Sequence, residues 1–169
     1  DGEGGKQFRQ KSYYLSLSDF RASGLFDTSS TAADPQDPMM VIRWGRYKDG
    51  KFQEEGMLRT KRVQDAGVNV AFKEHMVIEI PSRASASTKW KAVNPLDESK
   101  GNQLEFRVEV WNENLMGTHV HIGEGRLALH SVLKDVRNEV RFEVKLMHSP
   151  MWPKQPFMMG KVAMTGVLT

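Results

Sequence analysis

The chain contains no cysteine. Disulfides, thiolate metal sites and cysteine nucleophiles are therefore excluded, and the composition fits a reducing compartment. No apolar run approaches the ~20 residues that a helix needs to span a bilayer. Residues 1–12 are too polar for a secretory signal. No stretch of helical period lasts three turns or more. Catalytic signatures are missing as well: there is no Gly-x-Ser-x-Gly and no glycine-rich phosphate loop running into a helix. The paired carboxylates at 54–55 and 97–98 fall in segments that read as loops, where such pairs are ordinarily solvated. These absences point away from an enzyme and from a bound cofactor. One-signed charge is scarce too, since the net charge is only +3. The basic positions lack interleaved aromatics beyond Trp44 and Tyr47, so nucleic acid is not an expected partner.

What the chain does have is 39% hydrophobic residues over 169 positions, enough for one domain with a buried core. Their spacing has period two. Tyr13, Leu15 and Leu17 alternate with Tyr14, Ser16 and Ser18; residues 39–47, 57–63 and 71–80 read as further strands. Leu104, Phe106, Val108 and Val110 alternate with charged residues. Leu127 and Leu129 follow, then Val140, Phe142, Val144 and Leu146, and a last strand at 160–168. Turn residues separate these runs. The expected fold is all-β, an eight-stranded antiparallel β-sandwich. Residues 1–10 are expected to be a flexible N-terminal tail, and 11–169 the sandwich domain, with a long insert at 81–102. The chain begins at Asp rather than Met, so a piece of a longer protein is expected.

Trp111 ends an alternating strand and precedes a loop closed by Ile122-Gly123. Asp37-Pro38 opens the second strand, Arg59-Thr60-Lys61 sits in the third, and Asn69, Phe72 and Glu74 open the fourth. This order resembles the C2 domain over about residues 11–168. One strand before the first loop, and one after Val140–Leu146, is similar to the family's type II topology. The resemblance implies a β-sandwich that docks on membranes, often through calcium. Calcium wants six to eight oxygens, several from carboxylates. The family positions for those acids fall here on Asp27, Asp37, Asn112, Asn114 and Val120. Val120 offers no oxygen and the asparagines are neutral, so ordinary calcium binding is not expected, and no metal is.

Loops 19–38, 63–70, 112–121 and 147–159 should share one end, because connections between antiparallel strands alternate ends. The resemblance implies that this end faces the membrane. Its apolar residues Leu25, Phe26, Leu115, Met116, Met151, Trp152, Phe157, Met158 and Met159 are candidates for shallow insertion, foremost Phe26, Leu115, Met116, Trp152 and Phe157. A basic strip of Arg43, Arg46, Lys48, Arg59, Lys61 and Arg62 is the second candidate. The resemblance implies that Arg43, Arg59, Lys61 and Trp111 lie where phosphoinositide headgroups bind. His119 and His121, two apart on a strand, have chelating spacing but no accompanying motif. The expected activity is calcium-independent targeting of a larger cytoplasmic protein to the surface of an anionic phospholipid membrane. The alternative is a scaffold domain that binds another protein or a neighbouring domain, with Trp90 of the 81–102 insert as a contact.

Overall fold

A computed structural model describes residues 12–29, 33–80, 96, 104–113, 119–147 and 158–169. Its elements in order are β1 (Tyr13–Ser23), β2 (Pro38–Lys48), β3 (Lys51–Arg59), β4 (Val70–Phe72), β5 (Met76–Ile80), β6 (Leu104–Glu113), β7 (His119–Ala128), the short helix α1 (Leu129–Val132), β8 (Val140–Leu146) and β9 (Gly160–Leu168). Two antiparallel sheets form a sandwich. One runs β4-β1-β9-β8, with β5 also paired to β1; the other runs β3-β2-β6-β7. The first strand lies against the last, Leu15 opposite Leu168.

Alternation explains most of this. In β6 every second residue, Leu104 to Val110, is buried, while Glu105, Arg107, Glu109 and Trp111 point outward. Phe20, Leu15 and Leu17 of β1, Met40 and Ile42 of β2, and Val162 and Met164 of β9 meet these residues in one core. Burial of that apolar area drives the two layers together. On the β7–β8 side the layers also join through the Met147 N–H, which donates to the Glu124 carbonyl at 3.0 Å. Gly123 permits the close approach there. A Cβ on it would lie 2.8 Å from Met159 Cβ and 3.1 Å from Leu146 Cβ. Gly123→Ala is expected to cost about 1 kcal/mol by overpacking, read as a lower midpoint in urea unfolding.

Three expectations change. The segment 71–80 is two strands, because Lys73-Glu74-His75 interrupts the alternation. Both pieces pair with β1. The third strand is Lys51–Arg59 rather than 57–63. Thr60 turns inward, and its Oγ1 accepts the Met40 N–H at 3.0 Å, which closes the β2–β3 ladder and leads Lys61 out of the sheet. Leu25 and Met159, expected at the loop tips, are buried at 4% and 1% exposure, so both belong to the core. Leu96, the one described residue of the 81–102 insert, packs against that core.

Candidate functional site

Direct bonds gather the loops at one end. The Leu25 N–H reaches the Val68 carbonyl at 3.1 Å, the Phe26 N–H the Met159 carbonyl at 2.8 Å, and the Gly67 N–H the Gln36 carbonyl at 3.0 Å. Phe26, expected to insert into lipid, is half-buried against the core. Leu115, Met116, Trp152 and Phe157 lie outside the described residues, as do Asn114 and residues 1–11. Met158 is exposed.

At the centre of this end lie the positions that the resemblance assigns to calcium. Asp37 is buried, and its Oδ1 accepts the Asp65 N–H at 2.7 Å. Its Oδ2 stands 3.8 Å from Nη1 of Arg62, a cation of the chain itself. Asn112, also buried, accepts the Asp37 N–H on Oδ1 at 2.8 Å and donates from Nδ2 to Thr28 Oγ1 at 3.1 Å. The Asn112 amide therefore fastens the first loop to β6, and its oxygen already has a donor. Val120 sits opposite Asn112 on β7 and contributes no polar atom. Asp27 is exposed and turns back on Ser29: its Oδ1 accepts the Ser29 hydroxyl at 2.6 Å and the Ser29 N–H at 2.9 Å. Those two bonds, the hydroxyl first, hold the Asp27 carboxyl below its ordinary pKa. Their small contribution is present above the usual carboxylate range and fades as pH falls through the lowered value.

Arg43 and Arg59 lie on the outer face of the four-stranded sheet and Arg62 at its end, but Arg46, expected in the same strip, is buried opposite the core residue Leu104, because the β2 register puts it on the inner side. Each described arginine in it meets a carboxylate. Arg43 reaches Glu54 at 3.0 Å and Glu109 at 3.6 Å, and the Glu54 hydrogen bond above all raises its pKa further. Arg46, buried, pairs with Glu55 at 2.7 Å; Arg59 pairs with Glu113 at 2.7 Å. Arg107 lies 3.8 Å above the Phe52 ring and donates to Tyr47 Oη at 3.2 Å. Trp111 is half-buried, edge-on to His121 at 4.7 Å, with Nε1 donating to Glu109 at 3.4 Å. Strand pairing puts the arginines beside carboxylates of neighbouring strands, Glu54 and Glu55 nearby along the chain and Glu109 and Glu113 far from it. The strip is consequently close to charge balance.

Lys61 differs. It leaves the sheet after Thr60, and its N–H is held by Glu74 Oε1 at 2.8 Å. That bond draws the loop after β3 toward the break between β4 and β5. Between them opens a groove of about 660 Å³, lined by Leu58, Lys61, Arg62, Val63, Gln64, Ala71, Lys73, Glu74 and His75. Lys61 and Lys73 are exposed, and among the described residues neither ammonium has an ion-pair partner. The arrangement can hold a phosphate-bearing group against two cations, with the apolar side chains of Leu58 and Val63 beneath. The sequence singled out Lys61 but not Lys73. Its signal was the polar triplet Lys73-Glu74-His75 inside an otherwise alternating run.

No protein-family model matches the chain, and neither does any curated protein. Solved structures do. The first C2 domain, designated A, of a plant extended synaptotagmin 1 superposes with a TM-score of 0.61 at 14% identity, covering 92% of this chain and 93% of that one. Human GIVD cytosolic phospholipase A2 gives a TM-score of 0.59 at 11% identity over 94% of this chain, which spans only 16% of the enzyme's length. An extended synaptotagmin 2 fragment, with an SMP domain and two C2 domains, gives 0.58 at 16% identity, over 93% of this chain and 27% of that one. Among the described residues no helix is long and apolar enough to cross a membrane. With its two antiparallel sheets and these neighbours, the chain has the fold of a C2 domain.

Proposed function

We propose that this chain is a non-catalytic module that brings a larger protein to anionic membrane surfaces without calcium, from the cytoplasmic side, by binding phospholipid or phosphoinositide headgroups. The observation that carries this reading is the groove between Lys61 and Lys73: two exposed ammonium groups, without an ion-pair partner among the described residues, beside a sandwich face whose arginines are paired. Each lysine near an anionic surface contributes about 1 kcal/mol, so the groove supplies a weak electrostatic foot. Arg43, Arg46, Arg59 and Trp111 have a smaller part in this reading, since lipid must first compete with Glu54, Glu55, Glu109 and Glu113 for the arginines. The loop end supplies the apolar part of the contact, with Met158 exposed there. Calcium independence is supported by Arg62, which stands where a bound cation would neutralise Asp37, and by Asn112, whose oxygen is already engaged. That one structural neighbour is by name a phospholipase is compatible with this reading.

Co-sedimentation of the purified chain with vesicles tests it. Binding is expected to vesicles carrying phosphatidylserine or phosphoinositides, little to neutral ones, and to weaken as salt rises, because exposed charges are screened over about 8–10 Å. Equal retention by neutral and anionic vesicles, or by neither, would exclude the electrostatic foot. A second reading, docking to another protein, rests on exposed Tyr47 and Met57 on the ion-paired face of the four-stranded sheet. Failure with every vesicle would favour it.

A further inference from the structure

On the outer face of the four-stranded sheet the pairing of β6 with β7 sets Glu109 directly opposite Glu124. Like charges opposed across two strands repel and lower stability. A register shift follows at once: Val110 faces Gly123, but Trp111 faces His121, so Ile122 is the extra residue of a bulge. Without it, His121 would point to the core side, because residues three apart on a regular strand face opposite ways. With it, Ile122 turns inward to 0% exposure and His121 joins Glu124 on the outer face. Bulges re-aim side chains in this way beside functional sites. As a result, one ligand atom each from Glu109, His121 and Glu124 lies within 4.8 Å of the other two. The cluster is partly desolvated: His121 is 4% exposed and the Glu109 side chain 16%.

We propose that Glu109, His121 and Glu124 form a site for a divalent transition-metal ion of the zinc class. One imidazole nitrogen and two carboxylate oxygens are a donor set that suits zinc, with a fourth position for water, whereas calcium and magnesium take oxygen alone. Bonds of about 2.0–2.2 Å to one ion would be completed by rotation of the two glutamate side chains. The ion relieves the Glu109–Glu124 repulsion that Arg43, at 3.6 Å from Glu109, meets only in part. Trp111, edge-on to the His121 ring at 4.7 Å, packs against it and limits its rotation. This site is separate from the loop positions of Asp27 and Asp37, and it does not use His119, which the sequence pairs with His121.

The test is calorimetric titration of zinc chloride into the tag-free, metal-stripped chain, with calcium chloride in parallel. One saturable zinc site per chain and no calcium heat are expected. Glu124→Gln, nearly isosteric and only half-buried, should weaken zinc binding by at least about tenfold, and His121→Asn likewise. His119→Ala should leave it unchanged. Absence of saturable zinc binding in the unmodified chain overturns the assignment. So does wild-type affinity in Glu124→Gln, and so does a loss in His119→Ala without one in Glu124→Gln, which would make the two histidines the chelate.

Discussion

Lys61→Glu combined with Lys73→Glu is expected to reduce the affinity for anionic vesicles by tenfold to a hundredfold on the order of magnitude. The size follows from charge. Each lysine contributes about 1 kcal/mol at an anionic surface, and reversal exchanges attraction for repulsion, so the two changes sum to at most about 4 kcal/mol before screening. Both side chains are exposed and outside the core, so the double variant should fold and melt as the unmodified chain does. Lys145→Glu reverses an exposed charge on β8, at the opposite edge of the five-stranded sheet from β4, and serves as the control, with a change of about twofold or less. The measurement is a binding isotherm against vesicles of fixed anionic content. Equal losses in the control and in the groove variant would mean that net charge alone acts, without a located foot.

Asn112→Leu is expected to lower stability by about 3 kcal/mol, which moves the melting temperature by about 9 °C in a domain of this size. Asn112 is buried, and its amide is the partner of two groups on the first loop, the Asp37 N–H and the Thr28 hydroxyl. Leucine leaves the buried N–H without an acceptor, and an orphaned buried donor costs its desolvation. Asn112→Asp keeps the acceptor and loses the donor, so its loss is expected to be smaller, although it adds a charge near Asp37. Thermal unfolding by circular dichroism reads both. An unchanged melting temperature for Asn112→Leu would mean that Asn112 is a vacant ligand position rather than a strut.

The period-two runs made the sandwich readable because burying one face of a strand requires alternation, and β6, β8 and β9 show it without a break, while β1 slips once, between Leu17 and Phe20. Where the sequence misled, a local irregularity had intervened. Glu55 is skipped in the pairing of β3 with β2, which hides the alternation of Lys51–Arg59. The bulge at Ile122 reverses the face of His121. The Thr60 hydroxyl oxygen accepts the Met40 N–H and ends a strand that composition alone would continue. Each depends on which backbone lies alongside, and that partner is fixed by tertiary pairing. The candidate site was legible in the same measure. Asp37, Asn112 and Val120 could be placed by resemblance. That Arg62 stands beside Asp37, that Glu109 and Glu113 balance the arginines, and that Lys73 shares a groove with Lys61 required the tertiary arrangement of segments apart in sequence.

On the proposed reading, this C2 fold binds an anionic membrane with the cations it already carries. The most direct measurement is the vesicle-binding isotherm of the unmodified chain in millimolar calcium and again in chelator. The two curves should coincide, with Arg62 serving as the counter-charge to Asp37 in both. Binding that appears only with calcium would contradict the account, because Asp27, Asp37 and Asn112 would then be assembling a calcium site despite the bonds that now occupy them.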